Sequence, residues 1–335
     1  MTPALRLLGA FLSLALASAA CAAAPPVKLI FDTDMDSDCD DVGALGMLHA
    51  LADRGEVEIL ATTVSSKNPW SPLCVSAINQ FFGRPDVPVG VPKGKAGQKP
   101  TKYAQTIAEQ FPRKLESADK APDAIDVWRT ALEKADDNSV TIVTVGYLSN
   151  VAELLKRPAQ GDRPSGLDLA KQKVKAWVCM GGNFIGDPPK DDLKLSNNNF
   201  TFDKEASLYA VKNWPTKLVF VGREIGSVPS GLKVGARLKE LPANNPIRKG
   251  YELYFGGTAK DRHVADQTTL LYAARGLGDY WTMRGPGFME LAPDNQFSWS
   301  PVEGGRQYYL MKKPGTDRAV EKAIEDLMMA GPAKK

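Results

Sequence analysis

No later stretch of this 335-residue chain is apolar for the roughly 20 residues needed to span a bilayer. The formal net charge is only +3, so there is no basic footprint of the kind nucleic acid requires. Low-complexity linkers and internal repeats are also missing, which argues against a string of modules. Cysteine is scarce, at 4 residues. One of them, Cys21, lies in the opening segment "MTPALRLLGAFLSLALASAACAAAPP", where a single Arg6, an apolar run from Leu7 to Leu16 and a small-residue tail follow each other in the order of a secretory leader. We expect residues 1–24 to be that leader, with cleavage among Ala20 to Ala24, and an exported, periplasmic or secreted chain from residue 25 to 335. A lipid anchor at Cys21 is the weaker alternative, because Ser18 stands where an aliphatic residue is expected. Removal of the leader leaves Cys39, Cys74 and Cys179. That odd number permits one disulfide in an oxidising space, and Cys39–Cys74 is the conceivable pair, while Cys179 in "AWVCM" is expected to be a buried small hydrophobe.

What remains is a regular alternation. Short Val/Ile-rich runs at 27–31, 57–64, 87–91, 140–145, 174–180 and 216–221 are separated by helical patterns at 40–54, 71–83, 125–135, 148–156 and 203–213. Apolar strands of this kind, spaced by amphipathic helices, predict one α/β domain with a mainly parallel sheet covered on both faces. After Asp261 the pattern changes to one helix, a Gly/Pro-rich stretch with Trp281 and Trp299, a short strand "QYYLM" and a terminal helix. Core packing is the default role of the two tryptophans.

Ligands of open α/β sheets bind beyond the carboxyl ends of the strands. The first strand ends in "FDTDMDSDCDD", with Asp32, Asp34, Asp36, Asp38, Asp40 and Asp41 inside ten positions. Capping and the helix dipole account for Asp40 and Asp41 at a helix start, but not for six aspartates. A helix-loop-helix calcium loop is excluded. Starting from Asp32, Asp34 or Asp36, the sixth residue is never Gly and the twelfth never Glu. A phosphotransfer site of the haloacid-dehalogenase type fits "FDTDMD" and "GDPPKDD" loosely, yet the helix at Asp40 leaves no room for a cap after the nucleophile. The better reading is a divalent metal on hard oxygen ligands, with one carboxylate free to take a proton from water. Asp266, at the start of an apolar helix, and a strand-end carbonyl near Val145 are candidate distant ligands.

The ordered set "DTDMDSDCDDVGAL", "TVGYLSNVAELL", "VCMGGNF", "NFTFDKEAS" and "ADQTTLLYA" resembles the nucleoside hydrolases, calcium-dependent N-ribohydrolases, across nearly the whole mature chain. The acidic motif carries two extra residues here. The resemblance implies a single Rossmann-like domain, Ca2+ as cofactor, a nucleoside or related ribosyl compound as substrate and, by analogy alone, a homo-oligomer. It implies Asp34 as calcium ligand and general base, and Asp41, Asp266 and the Val145 carbonyl as further ligands. Asp40 would accept a hydrogen bond from the ribose 2′-hydroxyl, and Asn68 and Asn199 would bind sugar hydroxyls. Two departures concern the rest of the site. Asn197 stands where the family has a sugar-binding glutamate, and Ala265 where a histidine often helps the base leave. His263 and Glu224 are candidates for that acid, although for Glu224 a salt bridge with Arg223 or Arg262 is the stronger expectation. A non-catalytic sugar- or nucleoside-binding protein that kept the metal site is the alternative from another class.

Overall fold

The computed structural model describes residues 24–186, 198–228, 230–292 and 297–333. The leader, Cys21, Asn197 and most of "GDPPKDD" therefore lie outside the described residues. Eleven strands are present among those described: β1 (Val27–Thr33), β2 (Val57–Val64), β3 (Val89–Gly90), β4 (Val140–Thr144), β5 (Val174–Met180), β6 (Lys217–Val221), β7 (Lys233–Val234), β8 (Arg262–His263), β9 (Trp281–Leu291), β10 (Phe297–Pro301) and β11 (Gln307–Lys312). Nine of them form one sheet in the order β10-β9-β11-β6-β5-β4-β1-β2-β3, and β7 pairs with β8 separately. From β3 to β6 and on to β11 every pairing is parallel, whereas β9 and β10 run antiparallel at the edge.

Alternation along the strands explains why both faces must be covered. In β1, Leu29 and Phe31 enter one core and Ile30 the other. The first core is closed by α1 (Asp40–Asp53), α2 (Ser71–Phe81), α3 (Ala104–Gln110), and on the same face α10 (Pro246–Phe255), α11 (Ala265–Arg275) and α12 (Asp317–Met328). The second is closed by α4 (Ala124–Lys134), α5 (Ser149–Lys156), α6 (Gly166–Lys173) and α8 (Lys204–Asn213). Two short helices, α7 (Asn198–Thr201) and α9 (Arg223–Gly226), sit at strand ends. The chain leaves β1 through α1 toward β2 on one face and returns through α4 to β4 on the other. The two halves of the sheet thus part between β1 and β4, and a crevice opens there beyond the strand ends.

The Gly/Pro-rich stretch after Asp261 holds a strand: Trp281–Leu291 runs for eleven residues through Gly285-Pro286-Gly287, and Trp281 is buried. Pro286 falls in a register shift against β11, between the pairs Gln307–Gly287 and Tyr309–Arg284, where it owes no ladder hydrogen bond. The expected Cys39–Cys74 disulfide is not formed. All three described cysteines are free buried thiols. Cys39, preceding α1, and Cys74, within α2, both pack as small apolar groups in the first core. Burial pushes the Cys179 thiol up to about 12 and the other two further. The three thiols are expected to ignore a disulfide reagent in the native protein and to react together in denaturant. Mass analysis of the alkylated, unreduced chain would reveal a bridge as two missing labels.

Candidate active site

The crevice between β1 and β4 holds a cavity of about 230 Å³ whose lining includes Asp34, Asp38, Asp40, Asp41, Val145, Asn199, His263 and Asp266. Its walls come from segments far apart in sequence, which sheet register brings together. Val145 N–H donates to the Asp32 carbonyl at 2.8 Å, and Ser65 N–H to the Thr33 carbonyl at 2.9 Å. The approach of the β4 end to the acidic loop depends on Gly146. A Cβ there would come within 2.3 Å of the Asp34 nitrogen and 2.4 Å of Ser65 Oγ.

Asp40 and Asp41 occupy the first turn of α1, and Asp266 the first turn of α11. One carboxylate oxygen from each lies within 4.8 Å of the other two, and all three residues are buried. Thr33 Oγ1 and the Met35 N–H both donate to Asp41 Oδ1, which fixes that carboxylate. Asp34 lines the same cavity with its Oδ1 accepting the Asp36 N–H at 3.2 Å. Burial, reinforced by the neighbouring carboxylates, pushes Asp34, Asp41 and Asp266 well above the usual carboxylate range. Two positive helix ends do not offset this, since the dipole is worth only about 1 kcal/mol per charge. Among the described residues, no salt bridge reaches Asp34, Asp41 or Asp266; the cations nearby go elsewhere. Arg262 makes a forked bridge to Asp38 and lies 5.3 Å from the Tyr254 ring centroid. His263 Nε2 stands 3.3 Å from both Asp38 and Asp40. Burial alone would lower the imidazole, but Asp40 and Asp38 raise it to about 9. At Asp38, His263 and Arg262 outweigh burial and hold the carboxyl low.

The hard oxygens of Asp40, Asp41 and Asp266, with Asp34 beside them, fit a calcium ion by donor chemistry. A divalent cation there would offset the burial of carboxylates that have no salt bridge among the described residues. The grouping within 4.8 Å includes Asp40 and leaves Asp34 alongside, whereas the sequence resemblance implied Asp34 with Asp41 and Asp266. The Val145 carbonyl faces the cavity and accepts the Asn199 amide at 2.7 Å; the same amide reaches the Met180 carbonyl at 3.1 Å.

Other candidates stand further out. Asn68 does not line the cavity: its amide donates to Asp36 Oδ1 and the Lys99 carbonyl, and its Oδ1 accepts the Trp70 N–H. Glu224 does not line the cavity either. Its Oε2 accepts the Phe184 N–H at 3.0 Å, its Oε1 is buried without a partner, and burial raises the carboxyl to about 7. The expected pairing of Glu224 with Arg262 is replaced by Arg262–Asp38.

The extra aspartates acquire roles that sequence could not assign. Asp32 is buried under the loop, held by Thr63 Oγ1 at 2.6 Å and Asn150 Nδ2 at 2.8 Å. Asp36 accepts four donors: Ser66 Oγ (2.8 Å), Asn68 Nδ2 (3.2 Å), Lys99 N (2.7 Å) and Tyr147 Oη (3.0 Å). Asp36→Ala would strand all four. We expect it to cost about 3 kcal/mol of stability, visible as a lower denaturant midpoint; an unchanged midpoint would contradict this role.

A carboxylate cluster suited to a divalent metal thus lies at the switch point of a doubly wound sheet. The model of the inosine-uridine preferring nucleoside hydrolase family matches residues 29–284, and the chain belongs to that family. No curated protein matches the sequence. Among solved structures, a plant nucleoside hydrolase, the PpNRh1 enzyme, is 17% identical with a TM-score of 0.65, over 91% of this chain and 100% of its own. The inosine-uridine preferring nucleoside hydrolase from Bacillus anthracis is 15% identical with a TM-score of 0.65, over 90% and 99%. The type III effector protein XopQ, complexed with adenosine diphosphate ribose, is 14% identical with a TM-score of 0.59, over 91% and 94%. At these identities the likeness establishes the fold.

Proposed function

We propose that this protein is an exported, calcium-dependent hydrolase of the N-glycosidic bond in a ribosyl compound. The observation that carries the proposal is the buried trio Asp40, Asp41 and Asp266, placed beside Asp34 at the switch point, in which Asp41 and Asp266 have no salt bridge among the described residues. Calcium held by Asp34, Asp41, Asp266 and the Val145 carbonyl would supply the charge that fixes a water and the sugar's vicinal hydroxyls. Asp34, oriented through Oδ1 by the Asp36 N–H, takes a proton from the attacking water. Asp40 accepts a hydrogen bond from the ribose 2′-hydroxyl, and Asn199 lines the same cavity for the other sugar hydroxyls. The bond from C1′ to the leaving nitrogen breaks as the water oxygen bonds to C1′, and the nitrogen leaves with its electron pair and gains a proton. The carboxylates stabilise the cationic character at C1′. His263, at the cavity wall, is the candidate donor of that last proton.

Binding without turnover is the second reading, favoured by the altered leaving-group side, where Ala265 lines the cavity. Family membership displaces the phosphotransferase alternative. Purified chain with a nucleoside panel, in calcium and then in chelator, separates the two readings. We expect ribose release in calcium and none in chelator. Calorimetric binding without ribose release would establish the second reading instead.

A further inference from the structure

The cavity carries cations as well as carboxylates. Arg223, Arg262 and His263 line it together with the five aspartates. Arg262 uses Nε and Nη2 in its bridge to Asp38, and Nη1 takes no part in that bridge. Arg223 opens the short helix α9 directly after β6, at the same carboxyl edge of the sheet. The rest of the described lining is aliphatic or small and polar, and no aromatic ring belongs to it.

This composition is poor for a neutral heterocycle, which gains from stacking and from apolar walls. Guanidinium groups, by contrast, offer planar paired donors that match carboxylate and phosphate oxygens. A further cation stands near Asp34. Lys99 Nζ lies 4.3 Å above the ring of Phe202, a residue 42% exposed, which stacks in turn on Tyr147. The Lys99 backbone is pinned by Asp36 and Asn68, so the position of this charge is set by the acidic loop itself. With a divalent cation on the carboxylate trio, the surplus negative charge of the cavity is offset, and an anion can enter beside the arginines.

Resting on the hydrolase reading above, we infer that the ribosyl compound this site accepts carries an anionic group, a phosphate or a carboxylate, received by Arg223 and Arg262. The anion can sit on the sugar or on the leaving base, and three probes distinguish the sources. Uridine is neutral, uridine 5′-phosphate is anionic on the sugar, and orotidine is anionic on the base. With the calcium-loaded full chain, we expect one of the two anions to exceed uridine in kcat/KM by about tenfold or more, consistent with one charge-assisted contact. Arg223→Gln should bring that ratio close to one, and Arg223→Lys should keep part of it. The inference is overturned if uridine matches or exceeds both anions, or if Arg223→Gln lowers all three alike. If Arg223→Gln fails to fold by circular dichroism, the Arg223→Lys ratio decides. If none of the probes is hydrolysed, the hydrolase reading fails on its own. The anion preference is then read from calorimetric dissociation constants in calcium. Tighter binding of either anion sustains the inference, and equal or weaker binding ends it.

Discussion

Asp34→Asn is expected to lower the turnover of ribose release by about 10³-fold, within the range that loss of a positioned general base produces. The amide keeps the shape of the side chain and can still accept the Asp36 N–H, so the loop should stay folded. It cannot take a proton from water. The variant should therefore melt within about 2 °C of the parent in chelator, because a surface-lining isosteric change costs little. Turnover within threefold of the parent would remove Asp34 from the mechanism and shift attention to Asp40, the member of the trio that His263 reaches.

Calcium should stabilise the fold, and by an amount that depends on pH. At a concentration about 100-fold above its dissociation constant, a ligand specific to the native state adds about 2.7 kcal/mol. For a chain of this size that corresponds to a rise of about 5 °C in Tm. The carboxyls of Asp34, Asp41 and Asp266 titrate above their unfolded value of about 3.9, so the native state holds more protons than the unfolded state over that interval. Stability of the calcium-free protein must then fall as pH rises from about 4 toward the folded values. Calcium binds the deprotonated carboxylates, so its increment should be large at pH 7 and vanish near pH 4. Melting curves in calcium and in chelator at both pH values read this directly. A Tm at pH 7 indifferent to calcium would leave the trio without an ion and with it the proposed chemistry. Asp266→Asn should abolish the calcium increment, while relieving repulsion in chelator.

Charge density and strand patterning made much of this molecule legible. β2 and β5 occupy the ranges read from their apolar runs, and α1 begins at Asp40 where the acidic loop ends. Other elements were hidden for identifiable reasons. The helix α10 has strong local signals: Asn245 caps Ile247 and Arg248, Pro246 opens the first turn, and Gly256 closes it at φ 74°. Those signals lay in a polar stretch without an apolar run to draw attention to it. β9 was masked by its glycines and proline, whose tolerance depends on a register shift against β11 visible only in the assembled sheet. At the site, aspartate spacing distinguished the loop but not the division of labour within it. The partners of Asp36 lie 30, 32, 63 and 111 positions away, and Arg262 lies 224 positions from Asp38. Such pairings follow from sheet order, and no local pattern encodes them.

The four bonds on Asp36 also bear on how traffic through the cavity is organised. They fasten the ends of β2 and β4 and the Lys99 segment to one carboxylate, all at the same edge of the sheet. A segment clamped in this way does not swing as a door: opening it would break a buried bond to a charge for every passage. On the proposed hydrolase reading, entry and exit run past a fixed threshold, and turnover is then set by chemistry or by departure of the sugar rather than by the hinge of that loop.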